Sequence, residues 1–152
     1  TIDAEWSPQI STGASVLIPE YYIPDLGLRM DFYRRLANIS VSSDVHDFRI
    51  EMIDRFGNLP QEVENLLKTV SLKAQCKIAF IAKIEAGAKG AVVTFRNSSF
   101  PNPEGLINLI TNAKGSIKLR PDHKLIFFKR WEQPYQQLDG LEKIVKILVN
   151  LI

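Results

Sequence analysis

Between residues 25 and 80 apolar positions recur at spacings of three and four, and after residue 80 they begin to alternate. The first pattern predicts helices. Asp25 follows Pro24 and can cap a helix running through Ile39, with Leu28, Phe32, Leu36 and Ile39 at core spacing. Ser42, Ser43 and Asp44 open a second helix that ends at Gly57, where a residue without a side chain closes a helix at low cost. The stretch EMIDRFGNLPQEV, residues 51–63, holds the break: Gly57 stops one helix and Pro60 sits in the first turn of the next. Glu62 suits the positive N-terminus of that third helix, which runs to about Phe80. Its cap, Asn58 or Leu59, stays open.

The second pattern predicts strands. Ile81–Glu85 and Ala91–Phe95 alternate on either side of AGAKG, a hairpin signal with a five-residue connection. Pro103 opens a short helix, EGLINLIT, ending near Gly115. Two short strands, Ile117–Leu119 and Leu125–Phe128, flank the turn RPDHK. A final helix over about 135–151 carries Leu138, Leu141, Ile144, Val145, Leu148 and Ile152 on one face. The expected class is α+β: an N-terminal helical part followed by a small, mostly antiparallel sheet packed with helices.

Residues 1–24 read differently. Pro8, Pro19 and Pro24 punctuate them around a β-like run at 14–18, too little to fold alone. The expected organisation is an extended lead-in or linker arm over 1–24 and a single α+β domain over 25–152. The 152 residues are 45% hydrophobic, enough to bury a core. Nineteen Lys and Arg against 17 Asp and Glu leave a net charge of +2, which is no electrostatic footprint for nucleic acid across the whole chain. One cysteine, Cys76, excludes an internal disulfide and fits a reducing compartment. It falls in a helical run, where a buried, inert thiol is expected. No apolar run approaches the roughly 18 residues of a membrane span, and the first residues lack the layout of a signal peptide. The absence of an initiator Met fits a piece of something longer.

Few residue patterns carry catalytic chemistry. His46 and His123 lie far apart, with no cysteine pair or HExxH spacing, so no metal is expected. No serine sits in a GxSxG elbow. The glycines of AGAKGA lack the GK[ST] helix opening of a phosphate loop and read as a turn. No cofactor is expected.

Two charged features remain. Lys118, Arg120, His123, Lys124, Lys129 and Arg130 crowd the last two strands, opposed by Asp122 and interleaved with Phe127, Phe128 and Trp131. Single-strand binders place bases on aromatics among such cations; the more ordinary reading is lysine guarding an exposed sheet edge. The other feature is the helix before Gly57. Val45, Phe48, Met52 and Phe56 share one face, with Ile53 at its edge, while Asp47, Glu51, Asp54 and Arg55 span about 100° of the other. Glu51 and Arg55 stand four apart, a pair of small worth in water. The group is either a solvated face or a compact surface for a partner's basic residues. Tyr21, Tyr22 and Tyr33 fit either core or interface, core being the more ordinary reading.

The ordered blocks VLIPEYYIPDLGLRMDFYRRL, EMIDRFGNLPQEVENLL, GAKGAVVTF and NPEGLINLI resemble the C-terminal domain of bacterial transcription-repair coupling factors, from about Trp6 to the end. Residues after about 117 resemble it least. That family is an ATP-driven DNA translocase that dislodges stalled RNA polymerase and recruits nucleotide excision repair. Its motor motifs lie upstream of the region matched here, so the resemblance implies a non-enzymatic, cytoplasmic regulatory domain. It further implies intramolecular docking on the N-terminal module that binds the damage sensor UvrA, masking it until polymerase is engaged. The parent would bind RNA polymerase, UvrA and double-stranded DNA, and no membrane. The family's docking residues, an acid, an acid and an arginine in E-x-x-D-R-F-G, fall on Glu51, Asp54 and Arg55; Met52 replaces the usual Leu. The alternative is a nucleic-acid-binding accessory domain using Lys118, Arg120, Lys124, Lys129 and Arg130.

Overall fold

The computed structural model describes residues 6–152, so residues 1–5 of the expected arm lie outside the described residues. Chain order is β1 (Gln9–Ser11), α1 (Leu26–Ala37), α2 (Ser42–Phe56), α3 (Gln61–Ile78), β2 (Ile81–Gly87), β3 (Gly90–Phe95), α4 (Pro103–Asn112), β4 (Ile117–Leu119), β5 (Leu125–Phe128) and α5 (Pro134–Val149). This is the expected α+β class. Two compact units divide the chain: Ala14–Ala74, and residues 6–13 with Gln75–Ile152. The boundary falls inside α3.

The helical unit is built on an apolar cluster. Ile18, Ile23, Phe32, Leu36, Val45, Phe48, Met52, Val63 and Leu67 are buried together. They come from helix faces at the spacing that brings i, i+3 and i+4 side by side. Asp25 caps α1 as expected, its Oδ2 accepting from the Leu28 amide at 2.8 Å. The helix ends at Ala37, two residues short of Ile39, and is closed by Asn38, whose amide reaches back to the Arg35 and Leu36 carbonyls. Residues 14–18 are irregular rather than β-like. They are tied down side chain by side chain: the Ile18 amide donates to Tyr33 Oη at 2.6 Å, and Asn65 Nδ2 donates to the Ser15 carbonyl at 3.1 Å. Arg29 Nη1 donates to the Ile23 carbonyl at 2.7 Å, holding the turn that leads into α1. Tyr21 contradicts its core reading at 74% exposure, whereas Tyr22 and Tyr33 pack against the core.

Gly57 ends α2 with φ +90° and ψ −167°, a conformation strained for any residue carrying a Cβ. Pro60 precedes α3 rather than joining its first turn, its carbonyl accepting from the Val63 and Glu64 amides at 3.0 Å. The helix ends at Ile78, before Phe80 adopts a positive φ of 55°.

The other unit is a five-stranded sheet in the order β1-β2-β3-β5-β4, parallel between β1 and β2 and antiparallel elsewhere. The hairpin is tighter than expected. Gly87 pairs with Gly90, leaving a two-residue connection, Ala88 and Lys89. Strand alternation sends Ile84, Ala91, Val93, Leu125, Phe127 and Ile117 to the buried face. Leu138, Leu141, Ile144, Val145 and Leu148 of α5 are buried as predicted, but Ile152 lies beyond the helix and is 56% exposed. Cys76 is buried, and desolvation pushes its thiol up to about 12, consistent with an inert thiol.

Candidate functional site

The charged end of α2 rests on an aromatic shelf. Phe32 of α1 meets Phe48 and Phe56 of α2 edge-to-face, with ring centroids 5.3 and 5.6 Å apart, and Tyr22 meets Phe56 at 5.8 Å. The Tyr22 hydroxyl donates to the Gly57 carbonyl at 2.7 Å, joining the segment before α1 to the residue that ends α2. Two guanidinium groups lie over this shelf. Arg35 stands 4.7 Å from the Phe48 centroid and 5.2 Å from Phe32; Arg55 stands 5.2 Å from Phe32 and 5.1 Å from Phe56.

Glu51 bridges them. Its carboxylate accepts from Arg35 at 2.8 and 2.6 Å, a two-pronged pair between α1 and α2, and from Arg55 at 3.0 Å. These bonds, the one from Arg35 foremost, hold the Glu51 carboxyl down to about 2, and the same bond raises the Arg35 guanidinium further. The expected Glu51–Arg55 pair is therefore present, and Arg35, which the helix spacing alone did not bring in, is the stronger partner. An open depression of about 550 Å³ lies beside the clamp, lined by Leu28, Asp31, Arg34, Arg35 and Arg55 among others. Arg34 pairs with Asp31.

Asp54 behaves differently. It is exposed and, among the described residues, its side chain makes no ion pair or hydrogen bond. Ile50 and Ile53 beside it are 54% and 42% exposed. The end of α2 thus has two aspects: an arginine rim toward α1, and an outward strip of Ile50, Ile53 and Asp54, with Asp47 a further exposed acid on the helix. Lone helix acids were legible in the sequence. The arginine from α1 was not, because nothing in local spacing says which neighbouring helix will supply it.

The basic positions fall in the other unit. Lys118 on β4, Arg120 after it, Lys124 before β5, and Lys129 and Arg130 after β5 surround one strand. Arg120 pairs with Asp122 at 2.8 Å, so one of the five carries a local counter-charge. His123 forms the turn with φ +66°. Of the interleaved aromatics Phe127 is buried, Phe128 is 44% exposed, and Trp131 is half-buried with its Nε1 donating to the Gly90 carbonyl at 3.4 Å. The indole also covers Gly140 of α5, where a Cβ would overlap the ring. Sequence reading missed that contact; an isolated glycine inside a helical pattern was its signal. Among the described residues no group of His, Cys, Asp and Glu is placed to hold a metal, and no helix is long and apolar enough to cross a membrane.

An α+β chain with a charged, solvent-facing helix end is the class these elements define. Residues 12–106 match the family model of the TRCF domain, and the chain belongs to that family. The transcription-repair-coupling factor of Rickettsia conorii is 37% identical over 123 residues, covering 81% of this chain and 11% of that protein. That of Escherichia coli K12 is 29% identical over 132 residues, covering 87% and 12%. The chain therefore spans about a ninth of the length of these relatives. A solved C-terminal domain of transcription-repair coupling factor superposes with a TM-score of 0.80 at 18% identity, over 99% of this chain and 97% of that one, and so shares the fold.

Proposed function

We propose that this chain is a non-catalytic, autoinhibitory C-terminal module of a cytoplasmic, ATP-dependent DNA translocase that couples transcription to nucleotide excision repair. The α2 end, with Glu51, Asp54 and Arg55, docks on the parent's own N-terminal UvrA-binding module and masks it until RNA polymerase is engaged. The observation that carries the reading is the division of labour at that end. Glu51 is spent orienting Arg35 and Arg55, while Asp54 remains exposed and unpaired. A complementary partner surface would set an acid against the arginine rim, a Lys or Arg against Asp54, and apolar groups against Ile50 and Ile53. Such charge matching fixes orientation more than raw affinity.

Tethering makes a weak contact sufficient. Two modules in one chain meet at effective concentrations that reach the millimolar range, so a few charge-assisted bonds hold the closed state. Release then requires a ligand that binds the open state better, and polymerase or DNA fills that role. The test is UvrA affinity of the full-length parent carrying Asp54→Lys, alone and with Glu51→Lys, at two salt concentrations. Asp54→Lys is the cleaner variant because it disturbs no bond within the unit. We expect UvrA binding to tighten by about tenfold, the scale of one repulsive contact, toward that of a parent lacking this chain. Unchanged affinity for both variants, with the deletion still activating, would place the clasp on another surface.

A further inference from the structure

The outward face of the sheet combines Glu85 with small and apolar residues, and cations gather at its β4–β5 side. Register places Glu85, Val92 and Ile126 in one row, with Lys118 beyond Ile126 on β4, and Gly87, Gly90 and Phe128 in the next. Alternation along β4 and β5 carries Arg120 and Lys124 to the same side. Lys118 confirms the geometry, its Nζ lying 5.9 Å from the Phe128 ring centroid. Two glycines in the Phe128 row leave the ring without a tall neighbour across β3. The result is an apolar groove of about 500 Å³ floored by Gly90, Val92 and Ile126 and walled by Phe128.

The charges on this face are unevenly paired. Its two carboxylates are already engaged, Glu85 by Lys83 at 3.5 Å and Asp122 by Arg120 at 2.8 Å. Lys118, Lys124, Lys129 and Arg130 have no acidic partner among the described residues. Lys124 precedes β5, Lys129 and Arg130 follow it and Lys118 lies beside it on β4, while the Lys129 amide bonded to the Lys89 carbonyl at 3.0 Å brings the hairpin tip alongside. An exposed lysine row alone is a common guard for a sheet. An exposed aromatic over a glycine floor has no such use, since it leaves apolar surface in water. Flat π-faces flanked by a polyanionic backbone match both parts.

We propose that this sheet face binds single-stranded nucleic acid, with a base stacked on Phe128 and phosphates running along Lys118, Lys124, Lys129 and Arg130. The site lies in a different unit from Glu51 and Asp54, so it stands or falls apart from the docking reading. A net charge of +2 is compatible with it, because Lys118 and Lys124 lie on the Phe128 side of the sheet and Lys129 and Arg130 follow Phe128 directly in the chain.

The experiment is fluorescence anisotropy of the 152-residue chain with labelled oligo-dT and oligo-U of about 20 nucleotides, a duplex of equal length, and poly-glutamate as competitor. One or both single strands should bind at least about tenfold tighter than duplex, and whichever binds identifies the natural source. Phe128→Ala should weaken binding by about tenfold, the loss of one stack, while Phe128→Trp retains it. Phe128→Leu serves if the alanine variant folds poorly by circular dichroism. Lys118→Gln with Lys129→Gln should flatten the salt slope by roughly 1.4 between about 50 and 200 mM salt. Equal binding of duplex, full competition by poly-glutamate, or indifference to loss of the ring would overturn the proposal, the second pointing to an acidic peptide instead.

Discussion

Glu51 accepts from two guanidinium groups and titrates at about 2 rather than in the ordinary carboxylate range. A carboxyl whose folded value is depressed stabilises the fold wherever it is ionised in both states, above its ordinary value near 4.5, and that support fades as pH falls toward 2. Its side chain is 31% exposed, so water screens part of the interaction and a contribution of about 1 kcal/mol is reasonable. Glu51→Gln should therefore lower the melting midpoint at neutral pH and leave it nearly unchanged near pH 2. A deficit that persists undiminished at acid pH would mean the loss is steric, not electrostatic. Arg35→Lys should reproduce most of the neutral-pH loss, because an ammonium cannot make the two-pronged bond or lie flat on Phe48. The sequence showed Glu51 and Arg55 as an exposed pair of little worth. Its larger role follows from Arg35, sixteen residues away on another helix, and only tertiary packing reveals that.

The elements were legible where a strong period met a capping residue. Asp25 before α1 and Gly57 after α2 marked their helix ends because each satisfies or permits a specific backbone geometry, whereas Ser42 is the first residue of α2 and the cap position falls on Val41, with no side-chain cap bond. Strand β1 was not legible: three residues hold too little alternation to register, and it exists because Gln9–Ser11 finds the edge of β2. The hairpin connection was misjudged because Gly87 and Gly90 read as turn residues when they are the last ladder pair. The packing of α5 was half legible. Its leucines announced a buried face, and the isolated Gly140 marked a close approach, but the local pattern did not say that the Trp131 ring fills the space of its missing side chain. Alanine normally favours a helix over glycine by about 1 kcal/mol. Here Gly140→Ala should instead destabilise by about 1–3 kcal/mol through overpacking, with a shift in tryptophan emission. Combined with Trp131→Phe, which shortens the ring system, the same alanine should become neutral or stabilising. Equal cost in both backgrounds would show that the indole is not what Gly140 accommodates.

Each unit has its own buried cluster, yet the boundary between them lies within α3, where no loop intervenes. A helix half ordered and half frayed gives up its cooperative hydrogen bonds at the break, and isolated helical stretches of this length are marginal in water. Separate unfolding of either unit would leave part of α3 without tertiary support. The helical unit, Ala14–Ala74, is also near the size at which a lone domain buries only about 60% of the surface its unfolded chain exposes. We therefore propose that residues 25–152 unfold as one cooperative domain together with the packed part of the segment before them. The two tryptophans, Trp6 and Trp131, both belong to the sheet unit, whereas α1, α2 and most of α3 belong to the other. Tryptophan emission thus reports the sheet unit alone, while helical circular dichroism also carries α1, α2 and most of α3 alongside α4 and α5. Their urea transitions should coincide in midpoint and slope. Two separated midpoints, the helical signal melting first, would show that α3 transmits no cooperativity. Asp54→Lys could then disturb the helical unit without any trace in the tryptophan signal.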